Sequence, residues 1–127
     1  MGFNRIPLVP GEIYHLYNHA VGNDNLFHQE ENYRYFLKKY AELLTPIFDT
    51  YAYCLLPNHF HLLVHVKNLS SLRTVDPWDF WKPQGSNTDA SKWLAHRFGS
   101  LQNAYAKAFN KRFERTGPLL CLVSVES

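Results

Sequence analysis

Residues 59–66 carry the alternation that most limits how this chain can fold. The string His59–Val66 places an apolar side chain at every even position and three imidazoles among the odd positions. Because successive side chains of a β-strand point to opposite faces, the pattern predicts a strand with one apolar face and one face of histidines. The turn-forming pair Pro57–Asn58 joins it to the aromatic and apolar run 50–56, which predicts an antiparallel hairpin.

Two amphipathic helices are predicted around this hairpin. Apolar residues recur at three- and four-residue steps from about residue 29 to 47, with Pro46 suited to end the helix, and again over 91–115. Aromatic and branched residues over 12–21 predict another strand, and the tail 119–125 a short one. The order of elements predicts an α+β fold, an antiparallel sheet of ferredoxin-like topology with helices packed on it.

The length of 127 residues, with 46% hydrophobic residues, predicts one domain over 1–127. Within it, the polar stretch 67–90 contains two prolines and a glycine and predicts a long loop. The formal net charge of +2 permits a nucleic-acid partner but does not require one, because DNA binding depends on local clusters of Lys and Arg.

The two cysteines, Cys54 and Cys121, lie far apart and show no metal-binding spacing. Cys54 stands in an apolar run, which predicts a buried free thiol. No stretch approaches the roughly 20 apolar residues of a membrane helix, and no signal-peptide core is present. We therefore expect no membrane partner and a reduced, cytoplasmic setting.

His59 and His61 are the candidate metal ligands. Two residues apart on a strand, they project from the same face with backbones about 7 Å apart. Imidazole pairs suit divalent metals, and a third ligand decides which metal is preferred. The same pattern also fits an exposed sheet face or hydrogen-bonded core histidines. The candidates for a third ligand are His65, His15, His19 and Glu12.

The segment around these histidines resembles a known family. Residues 56–64, Leu-Pro-Asn-His-Phe-His-Leu-Leu-Val, resemble the histidine–hydrophobic–histidine (HUH) signature of the single-tyrosine HUH transposases, and most closely the REP-associated tyrosine transposases. The resemblance covers roughly residues 11–117. It also includes, in the family's order, Tyr14, His15, Asn18, Asn32, Tyr33, Phe36, Ala106, Phe109, Asn110, Arg112, Arg115, Thr116 and Gly117.

This resemblance implies a ferredoxin-like sheet, a homodimer and metal-dependent cleavage and rejoining of single-stranded DNA near hairpins. His59 and His61 match the family's ligands for Mg²⁺ or Mn²⁺, which polarise the scissile phosphate. A tyrosine then attacks the phosphate and forms a phosphotyrosine link, which conserves the bond energy for rejoining.

The chain departs from the family at the nucleophile. The family's tyrosine lies on a further helix beyond the Arg-Thr-Gly segment, whereas no tyrosine follows Tyr105 here. We therefore expect a truncated or frame-shifted member that is inactive in strand cleavage. Tyr105 is the fallback nucleophile, but its place on the apolar stripe of the second helix predicts a core residue.

A basic ridge on the late helix is the candidate DNA contact. Lys107, Lys111 and Arg115 repeat every four residues, with Arg112 beside them, and should share one exposed face. The pattern alone indicates a solvated ridge, and the resemblance makes phosphate contact an equal alternative.

Three functions remain open at this point. The chain is a transposase-like enzyme or its remnant, a vestigial or domesticated module that binds hairpin DNA without cutting it, or an RNA-binding domain. The third lacks its own signature, because no Lys/Arg-Gly-Phe-type string occurs on any predicted strand.

Overall fold

The computed structural model describes residues 7–75 and 87–127. In chain order, the secondary-structure elements are β1 (Ile13–His19), α1 (Glu30–Leu43), β2 (Phe48–Leu56), β3 (His59–Val66), α2 (Leu69–Leu72), α3 (Asn87–Arg112) and β4 (Ser124–Glu126). Within this described part, no helix is both long enough and apolar enough to cross a membrane.

The four strands form one sheet in the order β2-β3-β1-β4, and every neighbouring pair is antiparallel. This order, with a helix after β1 and another after β3, is the ferredoxin-like topology, so the predicted α+β fold is confirmed. The predicted hairpin is also confirmed, because Leu56 pairs with His59 across the two-residue turn Pro57–Asn58.

The alternation in β3 separates the two faces of the sheet. Phe60 is fully buried, and its ring lies 5.2 Å from that of Phe36 on α1 and 6.4 Å from that of Phe98 on α3. Both long helices therefore cover the same face, where the core lies. The other apolar residues of β3 on that face are also buried: Leu62, Val64 and Val66.

The helix boundaries differ slightly from the predicted ones. The Asn32 side-chain oxygen accepts hydrogen bonds from the backbone N–H groups of His28 and Gln29, which anchors the start of α1. At the other long helix, α3 begins four residues earlier than predicted, at Asn87, and ends at Arg112. The segment predicted as a long loop includes α2 and the first residues of α3, and its central part, 76–86, lies outside the described residues.

The prediction that Cys54 is buried was wrong. Cys54 is an exposed free thiol, because β2 is an edge strand and this residue pairs with His61 on the face away from the helices. Apolar neighbours in the sequence predicted burial, but on an edge strand they do not determine which face is covered.

Candidate metal and nucleic-acid site

The face of the sheet opposite the helices, here called the open face, brings the candidate residues together. Strand partners lie side by side on the same face, so the register fixes the neighbours. His61 pairs with Tyr17 of β1, and His59 pairs with His19. Within the described residues this face is accessible, and the neighbouring Leu63 is 40% exposed.

His59 and His61 lie together on the open face, as the alternation predicted. Their ring centroids are 5.1 Å apart and the rings are nearly perpendicular, at 87°. Both side chains are half-buried. Neither ring is packed into the apolar interior, so the interpretation as core histidines does not hold.

One nitrogen of each ring already has a hydrogen-bond partner. Nδ1 of His59 lies 2.6 Å from the side-chain oxygen of Asn58, and Nδ1 of His61 lies 2.8 Å from Nε2 of His15. Within the described residues, Nε2 of each ring has no such partner. These two nitrogens are the ones left for a ligand, and a metal-binding histidine commonly has its other nitrogen hydrogen-bonded in this way.

The protonation of His61 fits metal binding. Burial lowers the pKa of His61 below its usual 6.5, and the nearby charges of His15 and then His59 add to the effect. The imidazole is therefore neutral at pH 7, and the neutral form is the one that coordinates a metal.

Additional protein ligands do not converge on this pair. Among residues 7–75 and 87–127, no group of three or more His, Cys, Asp or Glu side chains is arranged to hold a metal ion. His65 is hydrogen-bonded to Asp49 at 3.0 Å, and Nδ1 of His19 contacts the Ala20 carbonyl oxygen at 2.9 Å. These ligands fit a cation held by two imidazoles, whose remaining coordination positions would be filled by water and phosphate oxygens.

Tyr105 lies on the helix side of the sheet, away from the histidine pair. It is 2% exposed, its hydroxyl donates to the Leu26 carbonyl, and its ring packs 5.4 Å from that of Phe36. Burial raises the pKa of Tyr105 far above its usual value. This core position agrees with its place on the apolar stripe and is unsuited to attack on a phosphate.

The four residues of the predicted basic ridge fall into two kinds. Lys107 and Lys111 are exposed and make no ion pair with the described residues. The guanidinium of Arg112 pairs with Glu31 at 3.1 Å.

Arg115 lies beyond the end of α3 and binds the chain itself. It pairs with Asp24 at 2.6 Å and donates to the carbonyls of Gly117 and Pro118. Two arginines of the ridge thus have acidic partners, and the two lysines are the ridge cations free to meet phosphate.

Sequence reasoning missed two residues of the open face. The Tyr17 hydroxyl donates to Glu126 at 2.8 Å, and the Tyr17 ring stacks on those of His15 and His61. The parity of Tyr17 with His15 and His19 on β1 is a signal that places it on this face. Glu126 had no such signal, because its position depends on the pairing of β4 with β1.

The fold and the site together define a class of architecture: a four-stranded antiparallel α+β sheet with an imidazole pair on its open face. No family model matches the sequence, and no curated protein matches it either.

Among solved structures, the chain is similar to that of a REP-associated tyrosine transposase bound to a REP hairpin, with a TM-score of 0.57 and 11% sequence identity. The match covers 99% of this chain and 61% of the transposase chain. At this identity, the likeness shows the fold.

Proposed function

We propose that this protein binds single-stranded or hairpin DNA and that His59 and His61 hold a divalent cation, Mg²⁺ or Mn²⁺, against a phosphate of the strand. The observation that carries this proposal is the pair of Nε2 atoms left available on the open face. The resemblance of residues 56–64 to the HUH signature and the likeness to a hairpin-bound transposase support it. The homodimer that the resemblance implies stays a prediction.

In this proposal, the chain's own residues bind and orient. Asn58 and His15 hold the two imidazoles through their Nδ1 atoms, so that both rings keep fixed directions. A bound cation would act as a Lewis acid on a phosphate oxygen.

The segment beside His59 contacts the half of α3 that carries the two free lysines. The carbonyl of Pro57, beside His59, accepts hydrogen bonds from the backbone N–H groups of Leu26 and Phe27. The Tyr105 hydroxyl, from the second half of α3, donates to the Leu26 carbonyl. In this proposal, Lys107 and Lys111, on the last turns of α3, are further phosphate contacts for the bound DNA.

We favour the version of this proposal in which the protein binds DNA and Tyr105 does not cleave the strand. The family's chemistry needs an accessible tyrosine hydroxyl, and that of Tyr105 is buried and hydrogen-bonded to a carbonyl. We expect no denaturation-resistant protein–DNA adduct after incubation with single-stranded substrate and Mn²⁺. A tyrosine-linked adduct on a denaturing gel would refute the binding-only form.

Fluorescence anisotropy with a labelled hairpin oligonucleotide tests the proposal. Mn²⁺ is expected to strengthen binding by the wild type, and His59→Ala and His61→Ala are expected to remove that gain while keeping the binding seen in EDTA. The matched control is His65→Ala, which lies on the same strand and face but is hydrogen-bonded to Asp49. Equal losses in His61→Ala and His65→Ala, or no effect of Mn²⁺ on the wild type, would contradict the proposal. An RNA competitor of the same sequence tests the RNA-binding alternative.

A further inference from the structure

Three strands each contribute one side chain to a hydrogen-bonded series on the open face. Nδ1 of His15, on β1, lies 3.4 Å from a carboxylate oxygen of Glu126 on β4. Nε2 of the same imidazole lies 2.8 Å from Nδ1 of His61 on β3. His15 therefore connects the carboxylate at the edge of the sheet to a proposed cation ligand.

With His15 and His61 both in their neutral forms, the chemistry of the three groups fixes where the protons sit. An ionised carboxylate only accepts hydrogen bonds, so the His15 nitrogen that faces Glu126 carries the hydrogen. In a neutral imidazole, the other nitrogen then holds a lone pair. Because the His15–His61 contact needs one hydrogen, Nδ1 of His61 must donate it, and Nε2 of His61 is left with a lone pair.

The opposite arrangement would prevent Nε2 of His61 from binding a cation. If Nε2 of His15 donated to His61, the lone pair of His15 would face the carboxylate of Glu126. Nε2 of His61 would then carry a hydrogen and could not coordinate a cation. The carboxylate is the group that distinguishes the two arrangements.

We propose that Glu126, acting through His15, holds His61 in the tautomer that offers Nε2 to a divalent cation. Glu126 and His15 are positioning residues, because neither one touches the cation. The role of the cation rests on the proposed function, whereas the tautomer does not.

Tyr17 contacts both Glu126 and His15 and so holds these two members of the hydrogen-bonded series in place. Its hydroxyl donates to the second oxygen of Glu126 at 2.8 Å, and its ring stacks on that of His15 with centroids 4.6 Å apart. The hydrogen bonds from Tyr17 and His15 lower the pKa of Glu126 below its usual value, so the carboxylate is ionised at neutral pH. Such outer partners orient a metal-binding imidazole and tune its affinity.

Nitrogen NMR of the full chain with labelled histidines, in EDTA at mildly alkaline pH, tests the tautomer directly. His61 is expected to be protonated at Nδ1 and unprotonated at Nε2. Glu126→Ala is expected to shift His61 towards protonation at Nε2, and His15→Phe, which keeps a stacked ring, is expected to do the same. The matched control is Glu12→Ala, another exposed carboxylate, which precedes β1; although the sequence made it a candidate ligand, it joins no group of three possible metal ligands in the described part of the chain, and the variant is expected to leave the signals unchanged.

Manganese affinity, measured by electron paramagnetic resonance, tests the consequence. Loss of an outer partner typically weakens metal binding about 10- to 100-fold, and we expect a loss in that range for Glu126→Ala and none for Glu12→Ala. Nε2-protonated His61 in the wild type, or a tautomer unchanged in Glu126→Ala, would overturn the role of Glu126. If the wild type bound no Mn²⁺ while the tautomer still depended on Glu126, the proposed function would fail and the positioning role would stand.

Discussion

Replacing Lys107 and Lys111 together by Ala is expected to flatten the salt dependence of DNA binding. Each phosphate neutralised on a single strand contributes about −0.7 to the slope of log affinity against log salt. Because the two lysines make no ion pair with the described residues, both are available for phosphate. Their loss should therefore make the slope shallower by about 1.4.

The affinity change follows from that slope. Raising the salt from 50 to 200 mM should weaken DNA binding by a factor roughly sevenfold larger in the wild type than in the double lysine variant, because the two slopes differ by about 1.4. Anisotropy titrations with a single-stranded oligonucleotide at four or more salt concentrations measure it. Both lysines are exposed, so the melting temperature should stay the same.

The paired arginine of the ridge supplies the control. Arg112→Ala removes a cation that already pairs with Glu31, so its slope should change less than that of the double lysine variant. An unchanged slope in the lysine variant would show that the ridge does not contact DNA. An equal change in Arg112→Ala would refute the distinction between free and paired cations.

Four further outcomes are expected. Tyr105→Phe removes one buried hydrogen bond and should lower the free energy of unfolding by about 1 kcal/mol, measured by urea denaturation, with unchanged DNA affinity; a loss of affinity would contradict its core role. Phe60→Ala should cost about 3–5 kcal/mol in the same assay, because the ring is fully buried between the helices; a cost under about 1 kcal/mol would refute that packing. Arg115→Ala should cost about 1–2 kcal/mol, because it removes the ion pair with Asp24 and the hydrogen bonds to the carbonyls of Gly117 and Pro118; stability equal to wild type would show that these contacts contribute nothing. Burial lowers the pKa of His61 from 6.5, so Mn²⁺ affinity, followed by paramagnetic resonance, should be level above pH 7 and fall at acidic pH; affinity that rises on acidification would contradict this.

The local periodicity was sufficient to predict most of the fold. The alternation in β3 gave both the strand and the face of each side chain, and the two-residue turn gave the hairpin register. The helix ends were less well predicted, because α3 continues towards its N-terminus into a polar stretch that lacks apolar periodicity. Edge position is a property of the whole sheet, and this is why the exposure of Cys54 was not predictable from its neighbours.

The candidate site was predictable only in part. His59 and His61 share a face because of their spacing, which a sequence shows directly. The contact of His15 with Glu126 joins residues 111 positions apart, and it exists only because β4 pairs with β1. The division of the ridge into free lysines and paired arginines likewise depends on Glu31 and Asp24, whose positions are set by packing between elements.

The register of β3 ties the metal-binding face to the core. His59 is the first residue of β3 after the turn at Pro57–Asn58, and a shift of the strand by one residue would move every later side chain to the opposite face. The three imidazoles would then be directed at the helices and Phe60 at solvent. The buried apolar face of β3 therefore also keeps the imidazole pair on the open face, because any register that buries Phe60 exposes His59 and His61.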